Sequence, residues 1–419
     1  MMRHLIMYKA TASRIIVLGI FLTLAACAQK HMMHTAGAEQ VCPFAPALFV
    51  HCGRTPTTAF DQNGRLWVSY VIGEHVYVAW SDDQGKQYSI PVKVNAVAEK
   101  VYTNGENRAK VAFGRKSEVY VSWTREVEGG PFFGDIRFTR STDGGKTFEP
   151  IKTINDDGLV TSHRFETMFV NTAGDIFMAW LDKRDQVAAV AARQQYVGAA
   201  MYYTWSRDNG VSFAKNSKVA DFSCECCRIA MSETPQGDVA AFWRHIYDTT
   251  TRDHGFAVLA TSGVITPEQR ATVDNWKIEA CPHHGPAMVT ASDGAYHISW
   301  FTLGDIRKGI LYGRYQPETG QLDNMATVAA AGSSHSHLAR VDNTLYLVWK
   351  QFDGEKTGIK LIISNNEGKS WQPATIITET ADASDHPLLI THEGMVSLSW
   401  HTSKEGLRII PLNSSGSSK

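Results

Sequence analysis

Seven related stretches decide how this chain folds, and the first of them is GRLWVSY at residues 64–70. Each stretch begins at a turn, continues with alternating apolar residues and ends on an aromatic side chain. Alternation with a period of two indicates a half-buried β-strand. The other six stretches are SEVYVSW at 117–123, GDIFMAW at 174–180, GDVAAFW at 237–243, GAYHISW at 294–300, NTLYLVW at 343–349 and GMVSLSW at 394–400.

The spacing of these stretches predicts a repeat architecture. Their terminal aromatic residues lie 53, 57, 63, 57, 49 and 51 positions apart along the chain. A period near fifty residues, with about four strand-like runs in each unit, is typical of β-propeller blades. We therefore predict an all-β fold, a β-propeller of seven four-stranded antiparallel blades. Six blades with a capping sheet are the alternative.

The composition agrees with a globular β-rich protein. The 419 residues include 41 basic and 42 acidic side chains, which gives a net charge of −1. This balance excludes nucleic-acid binding through a strongly basic surface as the main function, so no nucleic-acid partner is expected. With 43% hydrophobic and 20% charged residues, the chain is too apolar to be disordered. Its many glycines and aromatic residues favour turns and strands.

The N-terminal segment predicts export and a lipid anchor. Residues 1–14 are basic and contain no acid, residues 15–22 are apolar, and Leu-Ala-Ala precedes Cys27. This order is typical of a secretory signal, and the apolar run is too short to span a membrane. The segment also resembles the lipobox of bacterial lipoproteins, which implies cleavage before Cys27 and lipidation of its thiol. An ordinary signal peptide is the alternative. Because Ala28 stands where inner-membrane retention usually requires Asp, we expect an outer-membrane anchor, with the periplasmic or surface side left open.

This interpretation divides the chain into four parts. We predict a lipoprotein signal peptide over 1–26, a flexible tether over 27–41, a propeller over 42–412 and a disordered tail over 413–419. The tether contains His-Met-Met-His at 31–34, a combination that could bind copper or could be an ordinary solvated linker.

A second motif places hairpin turns in four of the units. SDDQGKQY at 81–88, STDGGKTF at 141–148 and SRDNGVSF at 206–213 fit S-x-D-x-G-x-x-aromatic, and SNNEGKSW at 364–371 has Asn in place of Asp. Ser and Asp are expected to accept hydrogen bonds from backbone N–H groups, and Gly to supply a positive φ. These stretches resemble the Asp-boxes, or BNR repeats, of sialidases and related propellers. The resemblance covers nearly the whole mature chain and implies fold more than function, because the Asp-box of that family lies away from the catalytic mouth.

Aligning the strands that precede each repeated stretch predicts which side chains line the axial mouth. In a propeller the innermost strand of each blade borders the axis, and concave sites with converging polar groups are the usual ligand sites. One register concentrates arginine and histidine, and it reads Arg54, Arg108, Arg164, Arg228, His284, His337 and His386. The two registers before it add His163, Cys227, His283 and Asp385, and Cys52, Cys226 and His335.

Two chemistries compete for this mouth, and the first is sialidase-like hydrolysis. Arg54-Thr55-Pro56 resembles the Arg-Ile-Pro element of sialidases, whose Arg helps to hold the substrate carboxylate. The resemblance implies an arginine clamp drawn from Arg54, Arg108, Arg164 and Arg228, with Glu166 as the carboxylate near the mouth. However, the chain from about Thr380 onward contains no Tyr to serve as nucleophile. We therefore expect binding of a small anionic or glycan ligand rather than catalysis, and keep exo-sialidase activity as an alternative.

The second chemistry is binding of a transition metal. Cys-Glu-Cys-Cys at 224–227 and Cys-Pro-His-His at 281–284 combine thiols with imidazoles, which suit copper or zinc and poorly suit Mg²⁺ or Ca²⁺. Because neighbouring strand residues point to opposite faces, a chelate from all three thiols needs an irregular backbone. Our leading hypothesis is an axial copper site, with zinc possible, whose candidate ligands are Cys224, Cys226, Cys227, Cys281, His283, His284, His337 and His386.

Disulfide bonds are the competing interpretation of the cysteines. Six remain once Cys27 is lipidated, an even number that fits three bridges in an oxidising compartment. Cys42 and Cys52 are the favoured disulfide candidates because they would close a short loop. A third functional class, a non-catalytic adhesin or assembly platform with a protein or glycan partner, also stays open.

Overall fold

The fold consists almost entirely of antiparallel β-strands. The structure, a computed structural model, describes residues 46–330 and 332–412, so Cys27, Cys42, the predicted signal peptide, the tether and the C-terminal tail lie outside the described residues. A 3-10 helix at Pro46–His51 precedes the first strand. In the described part of the chain, no helix is long and apolar enough to cross a bilayer.

The strands form seven antiparallel units, each containing one of the seven repeated stretches. Units 1 and 2 contain β1 (Arg54–Phe60), β2 (Leu66–Ile72), β3 (His75–Ser81), β4 (Val92–Lys93), β5 (Lys110–Phe113), β6 (Val119–Glu126), β7 (Gly134–Ser141) and β8 (Lys152–Thr153). Units 3 and 4 contain β9 (His163–Val170), β10 (Ile176–Asp182), β11 (Ala199–Ser206), β12 (Ser217–Ser223), β13 (Ala230–Glu233), β14 (Val239–Tyr247), β15 (Thr251–Leu259) and β16 (Gln269–Arg270). Units 5 to 7 contain β17 (Ala287–Thr290), β18 (Tyr296–Leu303), β19 (Lys308–Gln316), β20 (Gln321–Ala329), β21 (Ser333–Val341), β22 (Thr344–Phe352), β23 (Thr357–Ser364), β24 (Thr375–Thr380), β25 (Leu388–His392), β26 (Met395–Thr402) and β27 (Gly406–Leu412).

The first strands of the seven units form a closed ring. Each contacts the first strand of the next unit, in the order β1, β5, β9, β13, β17, β21, β25 and back to β1. This is the inner ring of a propeller, and it confirms the all-β propeller prediction. The blade count of seven stays a prediction, because the pairing of Ser223 with His245 joins units 3 and 4 into one eight-stranded sheet.

The repeated stretches form the second strand of each unit, which is the most deeply buried. All seven residues of β10 are buried. The terminal aromatic residue of every stretch is at most 2% exposed, and these residues are Tyr70, Trp123, Trp180, Trp243, Trp300, Trp349 and Trp400. Large buried aromatic side chains at equivalent positions fix how neighbouring units pack. Unit 3 also contains a short helix, α1 (Arg184–Ala191), which has no buried residue.

The four predicted Asp-box turns are confirmed. In each one the Gly N–H donates to the Ser hydroxyl at the start of the motif, at 2.8–2.9 Å, and the Gly has a positive φ of 76–90°. Asp208 accepts hydrogen bonds from the Ser206 hydroxyl at 2.7 Å and from the Ser212 N–H at 2.9 Å. Asn366 accepts the equivalent two bonds at 2.9 Å each.

These contacts predict how the Asp-box tolerates substitution. Because Asn366 makes the same bonds that Asp208 makes, Asp208→Asn should leave the free energy of unfolding nearly unchanged. Asp208→Ala should lower it by about 1–2 kcal/mol, since the hydrogen bonds from the Ser206 hydroxyl and the Ser212 N–H are lost. Urea denaturation of the two variants measures the difference. Equal losses in both variants would contradict this role of the side chain.

The buried imidazole of His254 predicts acid sensitivity. Its ring lies 4.9 Å from that of Phe242. Burial, and then the positive charge of Arg244, hold the pKa of His254 well below its ordinary value, so it is neutral in the folded state. The unfolded chain takes up this proton below about pH 6.5, so the stability that His254 contributes is present above that pH and is lost on acidification. The free energy of unfolding should therefore fall less steeply from about pH 7 to about pH 5 in His254→Gln. Parallel pH profiles of the two proteins would contradict this prediction.

Candidate metal centre

A cluster of sulfur and imidazole ligands lies where two loops meet the inner ring. A turn spans residues 225–227 between β12 and β13, and an irregular segment precedes β17. The turn brings three thiols together: the Sγ atoms of Cys224 and Cys226 are 3.6 Å apart, and those of Cys226 and Cys227 are 3.8 Å apart. The non-strand backbone at this point is what a shared chelate requires.

The second loop completes this cluster. Cys226, Cys281 and His283 each offer a ligand atom, and these atoms lie within 4.8 Å of one another. Cys226 thus belongs to both groups and joins them. We call Cys224, Cys226, Cys227, Cys281 and His283 the thiolate cluster. His283 has a φ of 52°, an unusual backbone conformation of the kind that recurs at functional sites.

The thiols of this cluster form no disulfide bond, and the pKa values of Cys226 and Cys227 are shifted in opposite directions. Cys224, Cys226 and Cys227 are buried and Cys281 is exposed. Hydrogen bonds with Cys224, Cys227 and Cys281 raise the pKa of Cys226. Burial opposes ionisation of Cys227, but hydrogen bonds from Cys224 and Cys226 and the charge of Arg244 outweigh it and lower the pKa of Cys227. Its thiolate form is therefore favoured.

Two buried guanidinium groups next to the cluster, those of Arg164 and Arg244, form no ion pair with a carboxylate of residues 46–330 or 332–412. Arg164 lies over the rings of Tyr102, Phe132 and Phe165, at 4.8–5.1 Å, and its Nε has no hydrogen-bond partner among the described residues. Burial lowers the pKa of Arg164 from its ordinary value. Arg244, only 1% exposed, donates to backbone carbonyls at 2.8–3.2 Å. Positive charges of this kind stabilise an anionic cluster.

A second cluster surrounds the buried carboxylate of Glu106. The Arg228 N–H and the Gly285 N–H donate to its Oε2 at 2.9 and 3.1 Å, and Arg228 Nη1 donates to its Oε1 at 2.9 Å. The Nδ1 atoms of His335 and His386 lie 3.5 and 3.3 Å from Oε1. Burial would raise the pKa of Glu106, but Arg228 and the two imidazoles outweigh it and hold this pKa well below its usual range. Side chains from four units and a backbone N–H from a fifth thus meet at this carboxylate.

The structure separates the eight predicted metal ligands. Five of them form the thiolate cluster. The ring of His284 stacks on that of His335 at 4.7 Å, and the ring of His335 stacks on that of His386 at 3.5 Å, so His284 and His386 belong with Glu106. His337 accepts a hydrogen bond from the Leu389 N–H at 3.2 Å and belongs to neither cluster. A single eight-ligand site is therefore not what the fold assembles.

The four arginines of the predicted clamp do not converge on an open pocket. Arg54 donates to the Gly73 carbonyl at 2.7 Å, and Arg108 is paired with Asp385 at 2.7 Å. Arg228 is bound to Glu106, and Arg164 lies among aromatic rings. Glu166 is held by Lys110 at 3.0 Å and by the Thr124 hydroxyl at 2.6 Å. In the described part of the chain these groups are therefore engaged by the protein's own partners.

The disulfide interpretation holds for one described cysteine. Cys52 is disulfide-bonded, whereas its predicted partner Cys42 lies outside the described residues. The four cysteines of the thiolate cluster form no disulfide. Three bridges among the six remaining cysteines are therefore not what the structure contains.

Sequence reasoning missed Glu106 and Arg244 as site residues. It treated Glu166 as the carboxylate near the mouth in the middle units, although Glu106 stands in the same aligned register as Cys52, Cys226 and His335. That register was the available signal for Glu106. Arg244 follows directly after the buried Trp243, where a charged side chain is unexpected and therefore informative.

Comparison with known proteins identifies the class of fold. A PL25 ulvan lyase, a polysaccharide lyase, matches with a TM-score of 0.54 and 12% identity, over 89% of this chain and 96% of that chain. The polysaccharide lyase Uly1 matches with a TM-score of 0.53 and 11% identity, over 91% and 94%. The NanB sialidase of Streptococcus pneumoniae has a TM-score of 0.47 and 11% identity, over 82% and 70%. No family model and no curated protein matches the chain.

At these identities the likeness to the two lyases shows the fold alone. The chain has a β-propeller fold similar to that of these two lyases, and it contains the Asp-box turns that the sequence predicted. The predicted lipid anchor at Cys27 stays a prediction.

Proposed function

We propose that this protein is an envelope lipoprotein that binds one transition-metal ion, copper, in its thiolate cluster. The observation that carries the proposal is that Cys226 belongs to two groups of ligand atoms, each within 4.8 Å, contributed by loops of two different units. A cluster assembled from residues more than fifty positions apart in sequence depends on the fold of the whole ring.

The charge around the cluster supports metal binding over a merely structural role. Several thiolates in one buried place repel each other unless cations compensate them. Arg164 and Arg244 supply part of this compensation, since neither has a carboxylate partner within ion-pair distance among the described residues. A bound cation would supply the rest. The lowered pKa of Cys227 favours the thiolate form that a metal ligand must have.

The ligand chemistry favours copper and leaves zinc as a measurable alternative. Thiolates are soft ligands and select Cu(I) or Zn(II) over hard cations. Either ion can use a subset of the four sulfur donors and one imidazole: Zn(II) four of them in a tetrahedral site, and Cu(I) the thiolates that it selects. The predicted tether contains His-Met-Met-His at 31–34. The thioether and imidazole groups of this sequence also favour copper.

Loading of the mature protein tests this function. Purified reduced protein is titrated with Cu(I) against a chromophoric Cu(I) chelator, and the retained copper is counted after gel filtration. We expect about one tightly held Cu(I) per chain, and zinc that does not displace it. Copper held no more tightly than by the denatured chain would overturn the proposal. Zinc displacing the copper at equal concentration would make zinc the physiological ion.

The rival function is hydrolysis of sialosides through the arginine clamp. Because Arg54, Arg108 and Arg228 bind the protein's own acceptors, we expect no release of sialic acid from a fluorogenic sialoside at high protein concentration. Turnover that is lost in Arg54→Ala would establish the enzyme instead. The adhesin or assembly-platform function would show neither metal nor turnover, but binding to a protein or glycan.

A further inference from the structure

The Glu106 cluster has a donor set of its own, independent of the thiols. Glu106, His335 and His386 each offer one ligand atom, and these atoms lie within 4.8 Å of one another. We propose that they form a second metal site, which binds a divalent first-row transition ion through two imidazoles and one carboxylate. The protein would then hold two ions of different ligand preference in neighbouring sites.

The geometry of the two imidazoles supports a bridging cation. Their ring centroids are 3.5 Å apart, with planes inclined by 17°, closer than the 4.5–7 Å that aromatic pairs usually adopt. Both Nδ1 atoms face the same Glu106 oxygen, and neither has a hydrogen-bond partner among the described residues. A cation shared with the carboxylate would satisfy both nitrogens and explain their close approach.

These side chains are largely shielded from solvent: those of His335 and His386 are 16% and 15% exposed, and that of Glu106 is 1% exposed.

A β-bulge, a residue with positive φ and a glycine shape the backbone around the Glu106 cluster. A register shift between Ser334 and His337 makes a bulge in β21, within which His335 takes a φ of 50°. Bulges and left-handed residues of this kind re-aim side chains at functional sites. Gly105 leaves room for the His386 ring, which a Cβ at that position would strike. Arg228 Nη1 donates to Glu106 Oε1, the oxygen that the two imidazoles face, and the Arg228 N–H donates to Oε2, so the carboxylate is held in place by hydrogen bonds.

Two pairs of adjacent residues each contribute one side chain to the thiolate cluster and one to the Glu106 cluster. Cys227 belongs to the thiolate cluster while Arg228 binds Glu106, and His283 belongs to the thiolate cluster while His284 stacks on His335. Carboxylate and imidazole ligands suit divalent zinc, cobalt or copper, whereas thiolates select the softer Cu(I). The two clusters therefore differ in chemistry although they are adjacent along the chain.

Cobalt titration tests the second site without relying on the first. Co(II) bound to thiolates shows an intense sulfur-to-metal charge-transfer band, whereas Co(II) bound to imidazole and carboxylate shows only weak visible bands. In the reduced full-length protein we expect about two equivalents of Co(II), one of each spectral type. A Cys224→Ser/Cys226→Ser/Cys227→Ser variant should lose the charge-transfer type and retain the other.

Substitution of the two histidines should have the opposite effect to that of the triple Ser variant. His335→Asn/His386→Asn should retain the Co(II) that gives the charge-transfer band. Its affinity for the Co(II) that gives only weak visible bands should be at least 100-fold lower. His392→Asn, at the far end of β25, is the matched control and should retain both. Glu106→Gln, if it folds, should behave as the histidine variant. If the triple Ser variant binds no Co(II), or if the histidine variant binds both equivalents, the second site does not exist. Either result leaves the thiolate site to be judged by its own titration.

Discussion

Cys226→Ser is expected to abolish tight copper retention. Cys226 is the residue that joins the two halves of the thiolate cluster, so its removal leaves Cys224 and Cys227 on one loop and Cys281 and His283 on the other. We expect Cu(I) affinity to fall by at least about 100-fold, equivalent to about 3 kcal/mol. The measurement is competition with a Cu(I) chelator at constant pH, with circular dichroism confirming that the variant is folded.

Two further variants make this result specific. Cys281→Ser removes an exposed ligand that belongs to one half of the cluster only, so it should reduce the affinity less than Cys226→Ser does. His75→Asn removes an imidazole that contacts the Asn95 carbonyl at 2.9 Å in unit 1, and should leave copper affinity unchanged. If Cys226→Ser binds copper as tightly as the natural chain, the thiolate cluster is not the site.

Glu106→Ala is expected to be the most destabilising single substitution at the axis. The side chain of Glu106 is 1% exposed and accepts hydrogen bonds from Arg228 and from the Gly285 N–H. Removing it leaves the Arg228 guanidinium without its carboxylate and two N–H groups without their acceptor. Breaking a buried ion pair in this way costs about 3–5 kcal/mol. Urea denaturation in metal-free buffer measures the loss of unfolding free energy.

An exposed glutamate provides the control for this measurement. The side chain of Glu393 is 80% exposed, so Glu393→Ala should change the free energy of unfolding by no more than about 0.5 kcal/mol. If Glu106→Ala is as stable as Glu393→Ala in the absence of metal, the carboxylate does not hold the five units together.

The fold could be predicted from the sequence because its signals are local and repeated. Each stretch such as GDIFMAW at 174–180 carries strand alternation, a turn and a buried aromatic residue, and these local preferences need no information from other units. The Asp-box turns are equally local, since Ser206, Asp208 and Gly210 make their bonds within five residues. Alignment of the first strands located these regions only approximately, since β1, β9 and β21 include aligned residues, whereas in the other four units the aligned residues lie just before the strand.

The candidate site could be predicted only in part because bulges break that alignment. The sequence register selected His337, but the shift between Ser334 and His337 directs His335 to Glu106 instead. The partners of Glu106 are 122 and 179 positions away in Arg228 and Gly285. No periodic pattern relates such residues, so their meeting follows from ring closure. The three thiols were found because they are adjacent in sequence and need only a turn to converge.

X-ray absorption at the copper edge tests the central claim most directly. The protein is loaded with one equivalent of Cu(I), and the first coordination shell is measured on the natural chain and on Cys226→Ser. We predict a coordination shell dominated by sulfur in the natural chain and the loss of this sulfur shell in Cys226→Ser. A shell made of nitrogen and oxygen alone in the natural chain would contradict a thiolate metal centre in this propeller.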